Sequence, residues 1–233
     1  MQYFEERDGK LIFRYNGETV QVEAWGQDSL RVRSRVLGEI SEECSALTEE
    51  VAVHDAVIFI QGEDSAEITN GKIKAVLYRQ GWGNALQITF YNEKGEVLLQ
   101  EIPNGGALCL KARYFRSLAG GSFYLKASFQ SNDKEKLYGM GQYQQERMNL
   151  KGCNLELAHR NSQASVPFCV SSLGYGFLWN NPAVGEVHFG TNTTEWEAWS
   201  TNQLDYWITA GERPGDIEKN YAEVTGKAPM MPE

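Results

Sequence analysis

Residues 10–36, KLIFRYNGETVQVEAWGQDSLRVRSRV, decide the fold class. Leu11, Phe13 and Tyr15 recur at every second position, as do Val20, Val22 and Ala24, and Leu30 and Val32 are interleaved with Arg31, Arg33 and Arg35. A period of two puts such residues on one face of a strand, whereas a helix face repeats every 3.6 residues. The stretch therefore reads as three half-buried strands. On the same pattern the arginine row marks a solvated opposite face rather than a ligand-binding stripe.

The pattern continues outward. Ile73, Ala75 and Leu77, then Ile88 and Phe90, then Phe123, Leu125, Ala127 and Phe129 alternate in the same way, with turn signals at Asn70-Gly71 and from Asn92 to Gly95. About fourteen strands are expected at this spacing, arranged as a large antiparallel sandwich in an all-β chain. The stretch from Gly38 to Glu50 is acidic and lacks alternation, so it reads as a long loop or a short helix between strands. One segment carries helix grammar. Pro214 suits a first turn, Ile217, Tyr221 and Val224 recur four and three residues apart, Gly226 follows as a stop, and Pro229 lies beyond. Its apolar stripe must meet a sheet, or a surface outside this chain.

Composition narrows the function. With 22 Lys+Arg against 31 Asp+Glu, the net charge of -9 opposes binding to phosphate backbones and anionic lipid. Neither nucleic acid nor membrane is an expected partner. The 233 residues are 42% hydrophobic and 23% charged, ordinary for a globular chain able to bury a large core. Cys44, Cys109, Cys153 and Cys169 form no CxxC pair, which suggests free thiols in a reducing compartment. MQYFEERDGK lacks the basic start and apolar run of a secretory signal, so the expected location is cytoplasmic.

No self-sufficient catalytic motif is present: there is no GxSxG, HExxH or Walker loop, and His54, His159 and His188 are scattered. No catalytic residue, metal or cofactor is assigned. Trp82, Tyr175, Trp179, Trp196, Trp199 and Trp207 could stack on sugar rings, but core packing is the favoured reading. Trp196 and Trp199, three apart, cannot share one face of a regular strand.

The second half carries a series of motifs. Leu137-Tyr138-Gly139-Met140-Gly141-Gln142, Val166-Pro167-Phe168, Ser171-Ser172-Leu173-Gly174-Tyr175-Gly176-Phe177-Leu178 and Asp205-Tyr206-Trp207-Ile208-Thr209-Ala210-Gly211, followed by Pro214, Tyr221, Thr225-Gly226 and Pro229, resemble in order and spacing the N-terminal region of glycoside hydrolase family 31. GQYQQ, HRN and GYGFLWNNP look most like its α-xylosidase and α-glucosidase branches. The resemblance implies a galactose-mutarotase-like β-supersandwich over residues 1–212, with 213–233 as a helix and linker leading to a (β/α)8 barrel absent from this chain. It implies a retaining hydrolysis of α-linked glucosides or xylosides, performed by two barrel carboxylates.

In such enzymes the N-terminal domain packs on the barrel and sends a loop to the rim of the active site. The matching stretch here is 158–163. His159, Arg160 and Asn161, with Gln142, are the candidate substrate-binding residues. Family members often carry Asn-Arg-Asp there, so this sequence places an amide where the acid would stand. The implied partners are the barrel and an α-linked oligosaccharide. An isolated domain is expected to expose apolar surface, including the helix face, and to self-associate weakly. The alternatives are a stand-alone carbohydrate-binding or mutarotase-like protein and a purely structural interaction domain.

Overall fold

The computed structural model describes residues 3–49, 51, 56–80, 85–107, 110–227 and 230, and of Gln80 the backbone. His54, Trp82, Cys109, Pro229 and Pro232 lie outside them. The described chain forms β1 (Phe4–Arg7), β2 (Lys10–Tyr15), β3 (Glu18–Ala24), β4 (Ser29–Val36), β5 (Val57–Gln61), β6 (Ser65–Asn70), β7 (Ile73–Gln80), β8 (Ala85–Asn92), β9 (Val97–Gln100), β10 (Arg113–Ser117), β11 (Phe123–Gln130), β12 (Leu137–Gln142), β13 (Asn154–Leu157), β14 (Ala164–Ser171), β15 (Tyr175–Trp179), β16 (Gly185–Phe189), β17 (Thr193–Thr201), β18 (Leu204–Ala210) and the helix α1 (Pro214–Thr225). The short strands β1, β9 and β13, four residues each, are too brief to show clear alternation, which is why the sequence suggests fewer strands.

Three antiparallel sheets result. The first runs β1-β2-β3-β4-β18-β15-β14-β12, the second β5-β6-β7-β8-β9 and the third β10-β11-β17-β16-β13. Their inward faces merge in one core, to which the alternating residues of 10–36 contribute Leu11, Phe13, Val20, Val22, Leu30 and Val32. Tyr206 of the first sheet is the junction: its ring lies 6.2 Å from Phe90 of the second and 5.7 Å from Phe129 of the third. Trp179 and Trp196 stack at 5.9 Å in the same core, while Trp199 is exposed, as their spacing requires. Aromatic packing of this kind adds about 0.5–1.5 kcal/mol per pair beyond area burial.

The outward face of the first sheet overturns the solvated reading of the arginine row. Arg31 and Arg33 are fully buried, and only Arg35 is partly open. The physical reason is a second layer. Residues 37–49 cross this face as an irregular strap, and α1 lies beside it, so Leu47, Phe168, Val170, Leu178, Trp207, Ile217 and Val224 form a second, smaller core. Arg31 donates to both Asp205 oxygens, at 3.1 and 2.6 Å, and to the Glu43 carbonyl at 2.8 Å. Arg33 reaches Glu23, Glu42 and the Ser41 carbonyl. Alternating charge thus marked a face buried with its counter-charges, which alternation alone cannot distinguish from a wet one.

The helix stripe is likewise covered from within. Ile217 and Val224 are buried on the sheet and Tyr221 stacks on Phe168 at 4.0 Å, whereas Asp216, Glu218 and Lys219 face outward. The apolar helix face expected to be exposed is therefore not exposed. Gly176 and Gly211 permit this contact, because a Cβ on either would come within 2.5 and 2.8 Å of the Ile217 side chain. Cys44, Cys153 and Cys169 are free thiols.

Candidate functional site

The motif Leu137–Gln142 bends the end of the first sheet. Gly139, Met140 and Gly141 all have positive φ, at 109°, 71° and 87°. The pairing of β12 with β14 jumps there, from Gly139 opposite Cys169 to Gly141 opposite Ser165. Side chains are excluded at both glycines, since a Cβ would sit 2.7 Å from the Phe168 carbonyl oxygen and 2.3 Å from that of Ala164. Pro167, which has no N–H, falls in the stretch where the ladder is interrupted. The glycine motif is therefore a bulge that aims the ends of β12 and β14, with Met140 buried beneath it.

Those ends carry the candidate residues. β13 belongs to the third sheet and β14 to the first, so residues 158–163 cross between layers. Arg160 and Gln163 exchange backbone hydrogen bonds of 3.1 and 3.2 Å, which puts Asn161 and Ser162 at the tip of a tight turn. The turn is tied down on its inner side. Gln163 Nε2 donates to the Ala158 carbonyl (3.0 Å), and Ser165 N–H donates to His159 Nδ1 (3.3 Å). That last bond makes Nδ1 an acceptor, so in the neutral ring the proton is on Nε2. Tyr143 links the layers: its hydroxyl donates to the Glu156 carbonyl (2.8 Å) and shares a second bond with Ser165 Oγ (2.8 Å).

His159, Arg160, Asn161 and Gln142 are all exposed. Gln142 is opposite Ala164 in the ladder, one residue beyond the turn, so the fold gathers the four at one end of β14. Among the described residues no hydrogen bond joins Gln142 to the other three. Arg160 is held by Glu156, with Nε donating to Oε2 at 2.8 Å and Nη2 to Oε1 at 2.5 Å. Hydrogen bonding to Glu156 and its charge hold Arg160 above its ordinary pKa. Glu156 and Tyr143 were not singled out from sequence. Glu156 and Arg160 are four apart, a spacing that signals a pair on a helix; here a strand end and a turn make it.

Among the described residues no group of three or more His, Cys, Asp or Glu side chains could hold a metal ion. No helix there is long and apolar enough to cross a membrane.

The family model for the glycosyl hydrolase 31 N-terminal galactose mutarotase-like domain matches residues 19–187. The chain belongs to glycoside hydrolase family 31. It is 41% identical to an uncharacterized family 31 glucosidase, ORF2, of Pseudescherichia vulneris, across 98% of this chain and 45% of that protein. It is 30% identical to alpha-xylosidase A of Aspergillus niger, across 99% and 33%. Among solved structures, a family 31 alpha-xylosidase from a soil metagenome, complexed with xylose, superposes with a TM-score of 0.91 at 45% identity, covering 98% of this chain and 35% of that one. A Flavobacterium johnsoniae dextranase of the family matches at TM-score 0.79 and 18% identity, a likeness of fold alone. This chain thus spans between a third and a half of the length of the two curated relatives, and fits the family's mutarotase-like N-terminal domain.

Proposed function

We propose that this domain serves an α-glycosidase of the α-xylosidase type, packing on a catalytic barrel and presenting the turn at 158–163 to sugar beyond the scissile bond. In that enzyme one barrel carboxylate attacks the anomeric carbon and a second protonates the leaving oxygen, and water then releases the covalent intermediate. The domain itself contributes no reacting group. Residues 1–212 form the sandwich, and 213–233 lead toward the barrel.

The observation that carries this reading is the construction of the turn. Its inner hydrogen bonds hold the backbone, while among the described residues the side chains of Asn161, Ser162 and Gln142 and the Nε2 edge of His159 have no hydrogen-bond partner in the protein. A rigid turn with unspent polar ends suits hydroxyl recognition, since little ordering entropy remains to be lost. Two-dimensional NMR of the chain with xylose, glucose and an α-linked xylosyl-glucose disaccharide tests it. Shifts are expected at 159–162 and at Gln142; silence at millimolar sugar would leave a scaffold for the barrel. The scaffold reading has one observation in its favour, that Arg160 already has a carboxylate partner.

A further inference from the structure

Glu156 is the last member of a row. On the outer face of the third sheet Glu156 is directly opposite Glu186 on β16, and Glu186 is opposite Glu197 on β17. Adjacent strands are about 4.8 Å apart, so the three carboxylates repel one another laterally. Glu197 interacts with Tyr124, and Glu186 with Asn154 Nδ2 at 3.5 Å. Neither contact supplies a cation, but Lys126 on β11 is directly opposite Glu197 and closes the far end of the row. The cation at the rim end is Arg160, and Glu156 takes its Nε and Nη2 edge. Nη1 has no partner among the described residues and is left as a pair of N–H donors.

We propose that Glu156 is the positioning residue of the rim turn: by occupying one edge of the Arg160 guanidinium it presents Nη1 to a sugar hydroxyl, and it keeps Arg160 from being drawn along the carboxylate row. The inference rests on the reading of the turn as a sugar contact. Its physical basis is geometric. A bidentate pair fixes the plane of the guanidinium as a single hydrogen bond cannot. Glu156 is itself anchored, because Tyr143 binds its carbonyl and β13 pairs with β16. Without its charge the nearest carboxylate is Glu186, one strand spacing farther from the turn.

The test follows the Arg160 Nε–H signal at low temperature, and the affinity for the α-linked xylosyl-glucose disaccharide read from the amides of 159–162. In the wild-type chain the Nε–H signal is expected to be protected from exchange, because Nε donates to Glu156 Oε2 at 2.8 Å. Glu156→Gln is expected to lose that protection and to weaken the disaccharide about two- to fivefold, the scale of an exposed ion pair. Glu156→Asp, which keeps the charge, is expected to fall between the two, and Glu186→Gln to leave both readouts unchanged. A wild type and Glu156→Gln that bind the disaccharide equally would overturn the positioning role while leaving the turn as a sugar contact. Absence of any wild-type response would overturn both, and the two failures are thereby distinct. Amide spectra away from the turn report whether each variant keeps the fold.

Discussion

Arg31 and Arg160 each offer Nε and Nη2 to one carboxylate, Asp205 in the first case and Glu156 in the second. Arg31 is 0% exposed and lies under the strap with its ring neighbour Trp25 at 4.5 Å, whereas the Arg160 side chain is 60% exposed. The same chemical pair therefore has two meanings. Under the strap each of the three Arg31 guanidinium nitrogens has a partner in the protein, among Asp205, the Glu43 carbonyl and Cys44, so the pair specifies how the layer seats. At the rim one guanidinium nitrogen is unspent, and the pair orients rather than stabilises.

The sharpest way to break this comparison is Arg31→Met. Asp205 would remain buried with Asn180 as its nearest donor, and about 3–5 kcal/mol of stability should be lost, read from urea unfolding. A loss as small as that of a surface variant would mean that the strap does not seal the site. Next in size is Gly141→Ala. A Cβ 2.3 Å from the Ala164 oxygen, at φ of 87°, is expected to cost about 1–3 kcal/mol and to shift the amides of Gln142 and 159–165 together. Independent movement of those two groups would separate the bulge from the turn.

A third effect is pH-dependent. Burial raises the Glu42 pKa, but hydrogen bonds from Lys10 and Arg33 outweigh it and hold the carboxyl below its usual value of 4.5. A lowered folded pKa favours the folded strap above the unfolded value, and that contribution fades as pH falls through the folded one. Hydrogen exchange of the Ala46 amide, which is bonded to Asn180, should therefore show less protection at about pH 3.5 than at about pH 5.5, once corrected for intrinsic rates. The protection of Ile208, deep in β18, should change less. Smallest in stability is Asn161→Ala, expected within about 0.5 kcal/mol of the wild type because its side chain is exposed at the tip of the turn.

The inner core was legible because alternation reports one buried face directly, as Leu11, Val22 and Val32 show. The outer face was not, because the groups that bury Arg31 and Arg33 come from residues 37–49, Asp205 and the helix, distant in sequence and without a periodic signal of their own. The helix itself was legible from Pro214 and the spacing of Ile217, Tyr221 and Val224, but not the surface it meets. That depended on Gly176 and Gly211 leaving room for Ile217. Of the site, resemblance supplied the four residues, and pairing of β12 with β14 explains why Gln142 lies near a turn some twenty residues away. Glu156 and Tyr143 escaped notice because their roles depend on two sheets meeting at one end.

The most direct test of the account is the affinity of the wild-type chain and Asn161→Ala for the α-linked xylosyl-glucose disaccharide, measured beside their urea midpoints. Equal midpoints with a clearly weaker variant are expected, because the tip of the turn is an unspent polar surface. Equal midpoints with measurable and equal affinities would contradict it, and would place any sugar contact elsewhere on the domain.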